Sequence, residues 1–256
     1  MAVSQAFAKA RVPGYRLAAV LARPHQIEAL RKKLDPEVPA FSDETEFLAA
    51  DVSLVVEAAG HQAALSFGPR VLEQGRDFYL MSVGVLADPA ARARLLAAAE
   101  FGGSRIVIPS GGLAGFDGLR ALAQLDLLEV TYTSTKPPHA WRNTPGQAAI
   151  RARAANEIVT VFDGNAGDAA LQFPKNANLA AAVAIAGIGF ERTRVRLVSD
   201  PACGENIGSL VARSATSVME LTMSGSAFQN NPKSSQVTGA SIVAALINDR
   251  TALSYG

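Results

Sequence analysis

Short apolar runs alternate with helix-like segments along the first 110 or so positions of the chain. In the helix-like segments apolar residues recur every three or four positions, as they do on a helix with one buried face. The runs between them are rich in β-branched residues, which is typical of strands buried on both faces of a sheet. The pattern predicts strands at 15–22, 51–58, 77–83 and 104–109, and helices at 2–10, 25–34, 61–74 and 89–101. Strands that alternate with helices favour right-handed βαβ units, so we predict an α/β fold with a doubly wound parallel sheet.

The second half of the chain has a different pattern. Segments 127–135 and 193–199 alternate apolar and polar residues, which is typical of antiparallel strands with one covered face. Segment 211–224 predicts a further pair of strands. Segment 177–187 consists mostly of small apolar residues, and we expect it to form a helix that is buried on most sides. These features predict a second, α+β domain with a mixed or antiparallel sheet.

The change of pattern after Gly111 and Gly112 sets the predicted domain boundaries. We place the first domain at 1–111 and the second, catalytic and dimerisation domain at 112–240. A C-terminal helix within 241–256 is a candidate to pack back on the first domain.

Composition and charge narrow the class of partner. The chain has 24 Lys and Arg against 23 Asp and Glu, so its net charge of +1 offers no basic surface for nucleic acid. One Cys excludes an intramolecular disulfide framework, and three scattered His argue against a zinc cluster. No apolar stretch reaches the roughly 18 residues of a membrane span. We therefore expect a soluble, cytoplasmic protein whose partner is a small molecule or a second copy of the chain.

The start of the chain departs from a Rossmann-type domain, which begins with a strand, a Gly-rich turn and a helix. Here the first predicted element is already the helix. The second strand ends at Arg23, and counting back about 20 residues places the last fingerprint glycine near Ser4. We thus expect a sheet that lacks its first strand and a chain that opens inside the phosphate loop. Either the start is shortened, or the nucleotide site has been lost.

Arg23 also bears on the cofactor. It stands where an acidic residue would select the free ribose 2′-hydroxyl of NAD, and an arginine there can pair with the 2′-phosphate of NADP. We expect NADP, or either NADP or NAD, as the cofactor. A solvated arginine at a strand end is the alternative interpretation.

Six ordered motifs, spread over most of the chain, carry a resemblance to a known family. They lie at 82–88, 109–122, 131–141, 173–189, 200–206 and 230–246, and include SVGVLAD, TYTSTKPPHAW and DPACGEN. Together they resemble the L-aspartate dehydrogenase family, which interconverts aspartate with iminoaspartate or oxaloacetate plus ammonia. The resemblance implies an NAD- or NADP-dependent oxidoreductase.

The resemblance also implies which residues contact the cofactor. Gly112 and Asn178 match family positions that bind it. Ser82 and Val83 follow a predicted parallel strand, at the carboxyl edge where such sheets bind ligands. An ordinary tight turn at Gly112 and a polar helix start at Asn178 are the alternatives.

Candidate substrate residues follow from the two carboxylates of aspartate, which need fixed cations and donors. We select Lys136, beside a rigid Pro-Pro segment, Asn176, and Lys233, before a predicted helix start. For each lysine, a solvated surface charge is the alternative. His61 is interpreted as a capping or packing residue.

Gly208 is the important departure from the family pattern. The family has a proposed acid/base histidine where this chain has Gly208, so the catalytic residue is unknown. We expect weak or altered activity on aspartate, with a lysine or water serving the proton step. A homologue that binds a dinucleotide or dicarboxylate without turnover, or one that uses another 2-imino acid, is the alternative. We also expect a homodimer through the sheet of the second domain.

Overall fold

The structure, a computed structural model, describes residues 12–228 and 231–254. The helix predicted at 2–10 lies outside the described residues. None of the described helices combines the length and hydrophobicity needed to cross a membrane.

The first half is an α/β arrangement of parallel strands, as the alternating pattern predicts. Strands β1 (Val20–Leu21) and β2 (Ala40–Phe41) pair in parallel. A three-stranded parallel sheet has the order β3 (Leu54–Glu57), β4 (Asp77–Leu80) and β5 (Ile106–Val107). The helices of this half are α1 (Pro24–Arg31), α2 (Glu44–Leu48), α3 (His61–Glu73) and α4 (Pro89–Gly102). The predicted Rossmann-like parallel sheet is confirmed, although β1 and β5 are shorter than the apolar runs that contain them.

Local signals in the sequence explain where these helices begin and what they cover. Asp43 and Asp88 cap α2 and α4, because each carboxylate accepts hydrogen bonds from two backbone N–H groups of the first turn. Leu72, Phe78 and Leu95 are fully buried where α3 and α4 cover the sheet. A short 3₁₀ helix, Val83–Ala87, follows β4 and directs the chain toward the second half.

The second half contains a five-stranded mixed sheet, which confirms the prediction. Its order is β10 (Val218–Gly225), β9 (Asn206–Arg213), β6 (Glu129–Lys136), β8 (Arg194–Ser199) and β7 (Val159–Asn165). Helices in this half are α5 (Phe116–Leu122), α6 (Gly146–Arg151), α7 (Ala166–Gln172) and α8 (Asn178–Ala186). The Ala-rich α8 is buried at Ala180 through Ala184, between the two halves, as its composition predicts.

Two details of this sheet differ from expectation. The strands predicted at 127–135 and 193–199 were expected to be antiparallel, but β6 and β8 are neighbours that run parallel. Alternation of apolar and polar residues shows only that one face of a strand is covered. The long segment between β6 and β8 returns the chain to the same end of the sheet, so the two strands run in parallel. The strand pair predicted at 211–224 begins earlier, because β9 starts at Asn206 and includes Gly208.

The last of the described helices packs against the parallel sheet. Strands β11 (Ala227–Phe228) and β12 (Asn231–Ser235) lead into α9 (Gln236–Arg250), which Ser235 caps. Ile242 and Leu246 of α9 are buried with Tyr79 of β4. The division into domains at 111 and 240 stays a prediction.

Candidate functional site

A pocket lies where the carboxyl end of β4, the start of α8, the inner face of β6 and β9, and the start of α9 meet. Side chains and backbone from both halves line it. Among them are Val83, Gly112, Lys136, Asn176, Asn178 and Gly208. Five of the residues selected from the sequence, together with the position of the missing histidine, thus surround one space.

The Gly111–Gly112 turn forms one wall of the pocket. Gly111 has a φ of 67°, and a Cβ there would lie 2.9 Å from Leu179 Cδ2, so only glycine fits without rearrangement. The Ser241 hydroxyl of α9 accepts a hydrogen bond from the Gly111 N–H at 3.0 Å. The turn therefore presents bare backbone to the pocket and is held from behind by the last helix.

Asn178 joins the two halves at the pocket. Its Oδ1 accepts a hydrogen bond from the Gly84 N–H at 3.0 Å and lies 3.2 Å from His61 Nε2. A free amide side chain could offer a ligand both a donor and an acceptor. The oxygen is instead engaged by the protein, which makes the amide NH₂ the group that a ligand can use.

His61 contacts the pocket residue Asn178 but is not itself among the residues that line the pocket. It opens α3 at the carboxyl end of a parallel strand, and its ring lies against the Asn178 amide. Its interpretation as a capping or packing residue stays a prediction.

Glu57 organises the loops around His61. Its carboxylate is 5% exposed and accepts hydrogen bonds from the Ala59 and Gly60 N–H groups, each at 2.7 Å. It also accepts from the Ser82 N–H and hydroxyl, each at 2.9 Å. A buried carboxylate with four donors is stable without a counter-cation. The carboxylate therefore links the end of β3 to the end of β4. Ser82 takes part in this link and does not line the pocket.

Strand β6 carries a row of polar groups on its inner face. Tyr132, Ser134 and Lys136 alternate with outward residues, and all three are buried and line the pocket. The Lys136 Nζ lies 6.0 Å from the centre of the Trp141 ring. Burial raises the pKa of Tyr132 to about 12, and a hydrogen bond with Ser134 opposes that shift. Tyr132 and Ser134 were not selected from the sequence, although period-two spacing from Lys136 would have found both.

Asn176 adds a hydrogen-bond acceptor to the pocket. The residue is 6% exposed, and its Nδ2 donates to the Ala140 carbonyl at 3.3 Å. Within the part of the chain that the structure describes, its Oδ1 is buried without a hydrogen-bond partner. An orphaned buried oxygen of this kind is stabilised when a ligand supplies a donor.

Gly208 lies inside β9, opposite Ser134 of β6. A Cβ built on Gly208 would lie 3.3 Å from the Tyr132 hydroxyl and 3.4 Å from Leu113 Cδ1. The Tyr132 hydroxyl therefore lies beside the space that a side chain at position 208 would enter, and it would have to move by only a few tenths of an ångström to admit one.

Three of the residues selected from the sequence lie elsewhere. Ser82 is engaged by Glu57, as described above. Arg23 is exposed at the N-terminus of α1, two residues after the end of β1. The backbone of Lys233 lies in β12 instead of at the start of a helix, and its side chain is outside the description. Residues 12–228 and 231–254 contain no group of three or more metal-ligating side chains.

The residues present have the chemistry to hold the nicotinamide end of a dinucleotide. The Gly111–Gly112 turn offers bare backbone that a flat ring could lie against, and the Asn178 NH₂ could donate to a carboxamide oxygen. At Gly84 a Cβ would lie 2.8 Å from the His61 ring, so a glycine there allows the backbone to approach His61 and Asn178 closely.

Each half of the chain matches a known protein family. The family described as "Aspartate dehydrogenase, C-terminal" matches residues 117–249. The family described as "Homoserine dehydrogenase, NAD binding domain" matches residues 2–109.

Curated relatives and a solved structure agree with these matches. The chain is 40% identical to the L-aspartate dehydrogenase of Ralstonia pickettii over 92% of its own length and 89% of the relative. It is 41% identical to L-aspartate dehydrogenase 2 of Bordetella bronchiseptica over 90% and 89% of the two chains. The crystal structure of aspartate dehydrogenase from Thermotoga maritima superposes with a TM-score of 0.72, at 22% identity over 94% of this chain and 100% of that chain.

The role of Glu57 is testable by Glu57→Gln. A glutamine keeps the shape but turns an NH₂ toward backbone donors, so we expect the free energy of unfolding to fall by about 1–3 kcal/mol. Urea unfolding measures the change. Glu73→Gln, at the exposed end of α3, is the control and should stay within about 0.5 kcal/mol of the wild type. Equal changes in the two variants would contradict the assigned role.

Proposed function

The chain belongs to the L-aspartate dehydrogenase family, and from this membership we propose that it is an NAD(P)-dependent oxidoreductase acting on the amino group of L-aspartate. The products are iminoaspartate or, after hydrolysis, oxaloacetate and ammonia. The observation that carries the proposal is the convergence of Gly112 and Asn178 with Lys136 and Asn176 on one pocket.

Gly112 and Asn178 hold the nicotinamide end of the cofactor. A bound dinucleotide supplies the hydride acceptor for the substrate Cα–H. The bare turn at Gly112 accommodates the ring, and the Asn178 NH₂ orients the carboxamide. Arg23, at the N-terminus of α1, favours NADP over NAD by pairing with a 2′-phosphate.

Lys136, Asn176 and Lys233 hold the substrate. A dicarboxylate needs cations, and the buried Lys136 ammonium supplies one at the end of β6. The orphaned Asn176 Oδ1 accepts a hydrogen bond from the substrate amino group. Lys233 supplies a second cation from the segment that leads into α9.

Gly208 limits the proton-transfer step. Loss of a placed acid or base typically costs about 10²- to 10⁴-fold in rate, whereas binding and orientation survive such a loss. We therefore propose reduced activity on aspartate. The bare backbone at Gly208 also supports the second candidate function, a homologue that binds a dinucleotide or a dicarboxylate without turnover.

Turnover separates these two candidates. With oxaloacetate and ammonia, the protein should consume NADPH or NADH, at a kcat about 10²- to 10⁴-fold below a family member that carries the histidine. Loss of reduced-dinucleotide absorbance measures the rate. The variant Gly208→His should raise kcat at least tenfold, because an imidazole can then donate and accept the proton. Dinucleotide binding with no consumption by either protein would favour the binding homologue, and a wild-type rate equal to the histidine-bearing enzyme would contradict the role of Gly208.

The cofactor role of Asn178 is testable by Asn178→Asp. The aspartate keeps the oxygen that faces Gly84 and His61 but has no NH₂ for a carboxamide, so the Kd for NADPH should rise about tenfold. Fluorescence titration measures Kd. Asn143→Asp, on the exposed surface, should leave Kd unchanged. An unchanged Kd for both variants would contradict the assignment.

A homodimer through the outer face of the five-stranded sheet is also proposed. Side chains such as Thr133, Ser209 and Val211 leave that face only partly buried within the chain, and a second copy would cover it. Light scattering should give a mass about twice that of one chain, because C₂ pairing buries one such face against another. Thr133→Arg should shift the mass toward the monomer, whereas Phe101→Arg, on the exposed side of α4, should not. A monomeric wild type would refute the proposed interface.

A further inference from the structure

The row of polar groups on β6 contains a buried hydroxyl beside the turn assigned above to the cofactor. Tyr132 is 1% exposed and lines the same pocket as Gly112, and its side chain lies near Leu113, the next residue after that turn. Lys136 lies four residues further along the strand, roughly 13 Å away at about 3.3 Å per residue. Tyr132 is therefore at the nicotinamide end of the row and Lys136 at the far end.

The register between β6 and β9 explains how the hydroxyl reaches the pocket. Gly208 pairs with Ser134, so Tyr132 is its diagonal neighbour on the same inner face. With no side chain at position 208, the ring extends across the glycine and its hydroxyl lies 3.3 Å from where a Cβ would stand.

We propose, on the basis of the function proposed above, that the Tyr132 hydroxyl donates a hydrogen bond to the oxygen on the reacting carbon of a 2-oxo acid substrate. In the amination direction the nitrogen of ammonia bonds to that carbon, and the C=O π electron pair moves to the oxygen. The hydroxyl stabilises the negative charge that develops there and forms no covalent bond itself. Tyr132 is then a catalytic residue, and Ser134, which hydrogen-bonds to it, is a positioning residue.

The chemistry of the phenol fits a donor better than a base. Because burial raises the pKa of Tyr132 to about 12, the group keeps its proton at neutral pH. A donor placed where charge develops is worth about 10²- to 10³-fold in rate, as mutations of oxyanion holes show.

The two directions of the reaction separate this role from a structural one. Amination of oxaloacetate begins with attack on the carbonyl, whereas the first turnover of aspartate oxidation transfers a hydride before any substrate carbonyl is present. Tyr132→Phe, which keeps the ring, should lower kcat for amination about 100-fold. It should leave the pre-steady-state burst of NADPH from aspartate and NADP⁺ within about twofold of the wild type. Ser134→Ala should lower amination less, and in the same direction.

Tyr79 provides the matched control. It is also 1% exposed, and burial raises its pKa to about 12, but it packs under α9 and does not line the pocket. Tyr79→Phe should leave both rates unchanged, and unfolding midpoints should show that all variants fold.

The outcomes distinguish the two proposals. A wild type active in both directions, with Tyr132→Phe equal to it or slowed equally in both, overturns the role of Tyr132 and leaves the proposed function standing. A wild type that binds NADPH but reacts in neither direction overturns the proposed function and this role with it.

Discussion

The carboxylate of Glu57 is the constraint on which the geometry of the pocket depends. A charged group at this depth is stable only when donors surround it, and the donors come from the two loops that follow β3 and β4. Those loops lead directly to His61 and to Gly84. His61 and the Gly84 N–H both contact the Asn178 Oδ1. Glu57, which does not line the pocket, thus helps to fix the position of the Asn178 amide.

The pocket is built from elements that are far apart in the chain. Asn178 contacts residues 94 and 117 positions away, and Ser241 holds an amide 130 positions away. Each bond is modest on its own, with a typical net value of about 1 kcal/mol. Together they fix the relative position of α8, α9 and the parallel strands, which gives the pocket a defined shape before a ligand arrives.

The sequence predicted where the helices and strands lie better than it predicted how they pair and which contacts they make. Apolar periodicity located β3, β4, α3 and α4 closely, because both faces of those strands are at least partly covered and one face of each helix is buried. It did not predict that β6 and β8 run parallel, since alternation depends on coverage and not on direction. Asn178 and Gly112 were selected through motifs, but the partners of Asn178 were not, because nothing local in the sequence encodes a contact over a hundred residues. Tyr132 was overlooked although it occupies the same face as Lys136, because a buried tyrosine in a strand usually serves packing alone.

The hydrogen bond between Ser241 and Gly111 couples ligand binding in the pocket to the stability of α9. The wall that a flat ring would lie against is held by a helix at the far end of the sequence, so local opening of α9 would release that wall. Any ligand that uses the wall then binds only the closed form, and by mass action its binding free energy is added to the stability of α9. Hydrogen exchange of the α9 amides is therefore slower when a ligand occupies the pocket than when the pocket is empty.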